Sequence, residues 1–167
     1  MKRKLILFLT LILAAVALTV LSANTTKVSA ATYSGSCGTN VTYNLNTSTG
    51  VLTISGSGTM NDYSSTSYNG NYTTSAPWGQ YYSSIKTVTI NSGVTSISNN
   101  AFYGCTGLTS VIIPEGVEEI YDCAFKGCTS LTGVTLPKSI KQVSFDAFDG
   151  CPCEDEVYSN LPEDKIC

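Results

Sequence analysis

The fold is decided by three consecutive segments: IKTVTINSGVTSISNNAFYGCTG (85–107), LTSVIIPEGVEEIYDCAFKGCTS (108–130) and LTGVTLPKSIKQVSFDAFDGCPC (131–153). They align without a gap at a period of 23 residues, and eight columns are apolar in every copy. These columns are Ile85/Leu108/Leu131, Val88/Val111/Val134, Ile90/Ile113/Leu136, Val94/Val117/Ile140, Ile97/Ile120/Val143, Ala101/Ala124/Ala147, Phe102/Phe125/Phe148 and Cys105/Cys128/Cys151. A period between 20 and 29 residues is typical of leucine-rich repeats.

Each copy can be interpreted as one coil of a stacked structure. Val88 and Ile90 are two residues apart, so they lie on the same face of a short strand. Pro114 and Pro137 end the corresponding strands of the later copies, because proline cannot donate to a ladder. One copy cannot cover both ends of its own core, so stacking on neighbours is required. We therefore predict a β-rich, short parallel solenoid of three leucine-rich-type repeats.

The segments on either side predict caps. Residues 31–84 are predicted to form an N-terminal β cap, with a hairpin made of 41–45 and 52–54. Residues 56–82 are rich in Ser, Thr, Tyr, Asn and Gly, and we expect them to be mostly irregular. Within them, Ala76-Pro77-Trp78 is expected to cover the open edge of the first coil. Residues 154–167 are interpreted as an acidic C-terminal tail.

Residues 1–30 have the pattern of a secretory signal peptide. A basic start at Met1-Lys2-Arg3-Lys4 precedes an uncharged apolar run over 5–21, and Val28-Ser29-Ala30 supplies small residues for cleavage. An uncleaved N-terminal anchor is the alternative. We expect a protein that is secreted or located at the cell surface, with no membrane span after cleavage.

The chain resembles the BspA-like leucine-rich-repeat proteins. The resemblance rests on SGSCGTNVTYNLNTSTGVLTISGSGTM (34–60), then APW (76–78), then repeats of the form LxxVxIPxxVxxIxxxAFxxC. Membership would imply a curved parallel-β solenoid on a secreted or surface protein, used for adhesion and protein contact. It supplies no catalytic residues that could be transferred to this sequence.

Charge and composition argue against several functions. The chain has no histidine, which excludes Ser-His-Asp and Cys-His nucleophile systems. Beyond residue 30 it has five lysines and no arginine against twelve acidic residues, so nucleic acid is a poor partner. Acidic residues cluster at 115–122 and 146–156, where calcium binding or glycoside hydrolysis is conceivable, but a solvated edge explains them better. We predict no metal, no cofactor and no catalysis.

The seven cysteines fall into two groups. Cys105, Cys128 and Cys151 share a repeat column and are interpreted as small buried residues. The pairing pattern of the other four, Cys37, Cys123, Cys153 and Cys167, is left open by the sequence. A Cys153–Cys167 disulfide that closes the tail over the last coil is one hypothesis.

Two surfaces are candidate binding sites. The first is the concave strand face, with residues that alternate with buried positions: Thr87, Thr89, Ser110, Ile112, Gly133 and Thr135. The second is an aromatic loop with Tyr63, Tyr68, Tyr72 and Trp78. A neutral solvated sheet face and simple packing of the cap are the respective alternatives.

These observations favour a binding or adhesion module for an extracellular protein or glycan. The alternative is a structural or truncated cap-plus-repeat fragment of a larger surface protein. A small hydrolase that uses the acidic residues is a weaker third hypothesis.

Overall fold

In the computed structural model the described residues are 31–68 and 71–167, so the predicted signal peptide lies outside them. Within these ranges no helix has both the length and the apolar character needed to cross a membrane. The strands are β1 (Thr32–Ser36), β2 (Val41–Asn46), β3 (Val51–Gly56), β4 (Gly58–Thr59), β5 (Ser65–Tyr68), β6 (Asn71–Thr74), β7 (Thr87–Ile90), β8 (Val94–Ile97), β9 (Ser110–Ile112), β10 (Glu119–Ile120) and β11 (Gln142–Val143).

The five-stranded sheet joins the N-terminal hairpin to the repeats. Its strand order is β1-β2-β3-β7-β9; β2 is antiparallel to both β1 and β3, and β3, β7 and β9 are parallel. Strands β7 and β9 pair as Val88 with Val111, a separation of one repeat. Both side chains are buried. Equivalent strands of consecutive repeats therefore lie side by side.

The four-stranded sheet has the order β4-β8-β10-β11 and is parallel throughout. Ile97 pairs with Ile120, which pairs with Val143, and all three side chains are buried. A parallel bridge from Val143 to Ile166 continues the same spacing into the C-terminal segment.

The phenylalanine column forms a stack through the interior. The rings of Phe102, Phe125 and Phe148 are fully buried, with 5.1 Å between consecutive ring centroids. Backbone hydrogen bonds run alongside the stack, from the Phe102 amide to the Ala124 carbonyl (2.8 Å) and from the Phe125 amide to the Ala147 carbonyl (2.7 Å). The repeat column predicted from the sequence thus shares one core.

Cysteine suits its column because its thiol donates a hydrogen bond to a backbone carbonyl of the preceding repeat. Cys128 Sγ donates to the Phe102 carbonyl (3.2 Å), and Cys151 Sγ donates to the Phe125 carbonyl (3.0 Å). A small apolar side chain that is also a weak donor fits a buried position beside a carbonyl. The glycines before these cysteines, Gly127 and Gly150, have φ values of 74° and 73°, in the region that favours glycine.

The prediction that residues 56–82 are mostly irregular is wrong. This segment contains β4, a hairpin of β5 and β6, and a 3₁₀ turn at Gly79–Tyr81. Thr66 and Thr73 face each other across the hairpin, with their hydroxyls 2.6 Å apart. Cross-strand threonine pairs of this kind stabilise a sheet, even where the composition looks like a loop.

The third copy departs from the first two. Residues 131–136 form no strand, and among the described residues the five-stranded sheet ends at β9. Val134 and Leu136 are only half-buried. Gly133 occupies the middle of this segment, where its lack of a side chain weakens a strand. Within residues 31–68 and 71–167, no further strand covers the outer edge of the segment.

Residues 154–167 pack against the end of the last repeat. They form helix α1 (Glu154–Ser159) and a 3₁₀ turn at Glu163–Lys165. The Tyr158 hydroxyl donates to the Ser144 carbonyl (2.7 Å), and its ring packs edge-on against Phe148. Acidic residues in the first turn of α1 interact favourably with the helix dipole.

Candidate functional site

The predicted strand face is only partly assembled. Thr87 pairs in register with Ser110, and Thr89 pairs with Ile112 on the neighbouring strand. Ser110 and Ile112 are exposed, whereas the two threonines are half-buried. The side chain of Ile112 is 55% exposed, which makes it the main apolar group on this face.

Gly133 and Thr135 are exposed, as predicted, but they do not lie on a third strand. Their assignment to the strand face is therefore wrong, because residues 131–136 do not join the sheet. Instead, a groove lies between β9 and the segment that follows Gly133, with a volume of about 520 Å³. Its lining residues are Val111, Ile112, Ile113, Glu115, Thr135, Leu136, Pro137 and Lys138.

The far side of this groove is fixed by Glu115. Its carboxylate accepts hydrogen bonds from the Lys138 amide (3.1 Å) and the Ser139 amide (3.2 Å). The Ser139 hydroxyl in turn accepts from the Gly116 amide (2.9 Å) and donates to the Val117 carbonyl (2.7 Å). The turn after Pro137 is thus attached firmly to the preceding repeat. The sequence analysis did not predict this groove. The sign of it in the sequence was Gly133, which stands where the other two copies have the strand residues Thr87 and Ser110.

Trp78 is not part of an exposed aromatic loop, and its assignment as a binding residue is wrong. Its side chain is 0% exposed, and Nε1 donates to the Ala101 carbonyl at 2.9 Å. The indole stacks on Phe102, with 5.6 Å between centroids. It extends the phenylalanine column beyond Phe102, as expected for a core residue.

The tyrosines of the predicted loop divide into two cases. Tyr63 is half-buried, packs edge-on against Trp78, and donates from its hydroxyl to the Cys37 carbonyl (3.4 Å). Burial is the main cause that raises the pKa of Tyr63 well above its ordinary value. Tyr68 and Tyr72 are known by their backbones, in β5 and β6, and their side chains lie outside the described residues.

Several of the clustered acidic residues make structural contacts. Glu118 forms an ion pair with Lys141 (2.8 Å), and Asp149 forms one with Lys126 (2.7 Å). Asp146 accepts from the backbone amide and the thiol of Cys123. Over residues 31–68 and 71–167 no group of three or more potential ligands could hold a metal ion. These carboxylates therefore connect one repeat to the next.

The hypothesis of a Cys153–Cys167 disulfide is wrong for this structure, in which all seven cysteines are free thiols. Cys153 is buried and hydrogen-bonds to Cys151, which raises the pKa of Cys153, as burial also does. Cys167 is exposed, and its backbone pairs with Val143 and Phe145 instead. The end of the chain is thus held by strand-type hydrogen bonds.

Thiol accessibility gives a direct prediction. Burial raises the pKa of Cys37 to about 11 and that of Cys105 to about 12, and burial is also the largest cause that raises the pKa of Cys123 to about 12. Alkylation requires a thiolate in contact with solvent. We expect iodoacetamide at neutral pH to modify Cys167 rapidly in the native protein, and all seven cysteines in urea without reductant, as counted by mass spectrometry. A pair that resists alkylation in urea until reductant is added would contradict the free-thiol arrangement.

Comparison with known proteins points to one family. The sequence profile described as "BspA type Leucine rich repeat region (6 copies)" matches residues 61–161. The match begins within the segment predicted as a cap and ends within the C-terminal segment. Among curated proteins the comparison finds no match.

The similar solved structures are bacterial leucine-rich-repeat proteins. One from Eubacterium ventriosum is 31% identical, with a TM-score of 0.61 over 72% of this chain and 30% of its own. One from Bacteroides ovatus is 26% identical, with a TM-score of 0.43 over 67% of this chain and 32% of its own. A leucine rich cell surface protein from Faecalibacterium prausnitzii is 24% identical, with a TM-score of 0.37 over 70% of this chain and 33% of its own. The chain spans about a third of the length of these proteins.

Proposed function

Because the chain belongs to the BspA type leucine-rich-repeat family, we propose that it is a secreted or cell-surface module that binds an extracellular protein or glycan and does not act as an enzyme. The observation that carries the proposal is the exposed side chain of Ile112 beside the groove between β9 and residues 135–138. An exposed apolar group next to a cleft with a polar rim is typical of a contact site.

The architecture supports a binding role. We interpret the three 23-residue repeats as a short parallel solenoid, with the β1–β2–β3 hairpin region as its N-terminal cap. Solenoids present an extended, rigid surface to a partner. The alternating residues Ser110 and Ile112 on β9 are directed away from the core, which leaves them available for contact without loss of stability.

The groove favours a partner that supplies both an apolar side chain and polar groups. Val111 and Ile113 line the groove with buried apolar side chains, whereas Glu115 and Lys138 are exposed lining residues of opposite charge. A groove lined by buried apolar and exposed charged residues resembles the centre and edge of a protein interface. A protein segment that contributes one apolar anchor fits this arrangement.

A second candidate role is supported by the length of this chain, which is much shorter than the solved structure it resembles. The chain covers 30% of the Eubacterium ventriosum protein, which favours a role for the repeats as one part of a larger surface array. In that case the groove would contact further repeats of the same array. Sequencing of the gene beyond codon 167 tests this role, because in-frame repeats of the same pattern would favour it.

The binding role makes a prediction for Ile112→Asp. A charge at the centre of the apolar patch would require desolvation on binding, so we expect affinity for the partner to fall at least about tenfold, or ~1.4 kcal/mol. The measurement is a dilution series of the secreted protein on an array of matrix proteins and glycans. Phe145→Asp is the matched control, since Phe145 is 69% exposed and follows β11 on the other sheet. Equal binding by both variants and the wild type would contradict a site on the β9 face.

A further inference from the structure

A second cleft lies on the four-stranded sheet, between the cap and the first two repeats. It has a volume of about 290 Å³, just below the usual range of roughly 300–1,000 Å³ for small-molecule sites. Its walls come from the segment that follows β4, from β8 and the residues after it, and from the residue after β10. The lining residues are Thr59, Met60, Asp62, Ser96, Ser98, Asn99 and Tyr121.

Ser96 is the unusual group in this cleft. Its side chain is 1% exposed, and its Oγ has no hydrogen-bond partner among the described residues. The neighbouring Ser98 shows the ordinary arrangement, since its hydroxyl donates to the Met60 carbonyl at 2.7 Å. Buried hydroxyls are nearly always partnered, so the unpartnered Ser96 Oγ in the wall of this cleft is a hydrogen-bonding position that a water or a ligand hydroxyl can fill.

The register of the sheet shows that Ser96 is specific to this position. It pairs with Glu119 on β10, which pairs with Gln142 on β11, and both of these have long polar side chains. Only the first repeat has a short hydroxyl residue here.

Two further groups in the cleft have unused hydrogen-bonding capacity. Asp62 accepts from the Asn99 amide with Oδ1 (3.2 Å), which leaves its second carboxylate oxygen as an acceptor. Asn99 accepts from the Asp122 amide with its own Oδ1 (2.9 Å), which leaves its side-chain NH₂ as a donor. Together with the Ser96 hydroxyl, they form a small set of donors and acceptors held by the backbone.

Tyr121 supplies an aromatic wall. It is 37% exposed, and its hydroxyl donates to the Glu119 carboxylate, which restrains the ring. The other two repeats have serine in this column, at Ser98 and Ser144. A tyrosine ring next to mixed polar groups presents a flat apolar face together with a hydrogen-bonding edge.

We propose that this cleft binds one neutral pyranose residue of a glycan, with a C–H face of the sugar on the Tyr121 ring and its hydroxyls bonded to Ser96, Asn99 and Asp62. Sugar hydroxyls both donate and accept, so they suit the Asp62 carboxylate, the Asn99 NH₂ group and the Ser96 hydroxyl alike. The carboxylates of Asp62 and Glu119 disfavour an anionic sugar. The assignment rests on the proposed binding function, which it deepens by naming a ligand class at a site other than the β9 face.

The test uses methyl glycosides of neutral hexoses and N-acetylhexosamines, with sialic acid as the anionic comparison. Saturation-transfer NMR identifies a binder, and titration of the ¹⁵N-labelled protein gives its affinity and the residues affected. We expect one neutral glycoside to shift the side-chain signals of Asn99. We expect Ser96→Ala and Tyr121→Ala each to weaken its binding at least about fivefold.

Matched control variants distinguish a specific loss of sugar contacts from a general loss of structure as the cause of weaker binding. Ser110→Ala and Tyr33→Ala remove an exposed serine and an exposed tyrosine elsewhere, and they should bind like the wild type. Ser96→Ala should keep or raise the melting temperature, because it removes an unpartnered buried hydroxyl. A merely structural Ser96 would lower it.

The outcomes distinguish this inference from the proposed function. If no neutral glycoside shifts Asn99 or Asp62, or if Ser96→Ala binds as tightly as the wild type, the sugar site is overturned. A partner on the protein and glycan array that responds to Ile112→Asp would still stand in that case. Preferential binding of sialic acid would also overturn the assignment, because it requires a cationic site.

Discussion

Phe125→Ala is expected to destabilise the protein by about 3–5 kcal/mol, the range found when a fully buried phenylalanine is truncated. The Phe125 ring lies between Phe102 and Phe148, with centroids 5.1 Å away on either side. Its loss removes stacking on both faces and leaves a cavity in the middle of the shared core. Since small domains are stable by only about 5–15 kcal/mol in total, we expect a large shift of the urea midpoint.

The measurement can use the single tryptophan of the chain as its probe. Trp78 is buried at the same ring column, so its fluorescence should report unfolding of the cap and the repeats together. Phe145→Ala is the control, because this exposed ring should change stability by no more than about 0.5 kcal/mol. If the two variants were equally stable, the phenylalanine column would not be the core that connects the repeats.

The periodic part of the core was predictable from the sequence. In the first two copies every apolar column is buried, from Ile85 and Leu108 to Cys105 and Cys128. The reason is physical: when equivalent strands lie side by side, equivalent apolar residues of successive copies come together in one core, as Phe102, Phe125 and Phe148 do. The same residue type at the same position of each copy therefore predicts which side chains pack together, which the composition alone does not.

The third copy shows where periodicity is insufficient. Val134 and Leu136 fit their columns, yet they are half-buried and belong to no strand. Gly133 lies in the middle of residues 131–136, where it weakens a strand, and among the described residues only β9 lies beside this segment as a possible strand partner. The pattern within a repeat cannot show whether the next strand is present to complete the ladder.

The candidate sites were harder to predict, because they arise at exceptions to the repeat. Tyr121 stands where the other copies have serine, and Ser96 stands where they have glutamate or glutamine. Such departures were visible in the alignment, but the cleft also needs Asp62 from the cap, which the alignment does not include. Contact between cap and repeats is a tertiary property, so the sequence alone could not define the site.

Trp78→Ala is the second substitution for which we expect a very large effect, about 3–5 kcal/mol from lost packing. The indole contacts Tyr43, Tyr63 and Phe102, with ring centroids 5.3–5.7 Å away, and thereby joins the cap to the first repeat. Without the ring, the cap would lose its main apolar contact with the phenylalanine column. Urea unfolding followed by circular dichroism checks this without depending on the tryptophan signal.

Trp78→Phe separates the ring from its hydrogen bond. Phenylalanine keeps an aromatic group against Phe102 but leaves the Ala101 carbonyl without the donor at 2.9 Å, so we expect a smaller loss of about 1–3 kcal/mol. The same pair of variants decides between a core role and a binding role for this residue. A core tryptophan lowers stability in the order wild type, Phe, Ala, with partner affinity unchanged wherever the variant remains folded. A Trp78→Ala protein with an unchanged urea midpoint and weakened binding would restore the aromatic-loop interpretation, and the cap would then need another connection to the repeats.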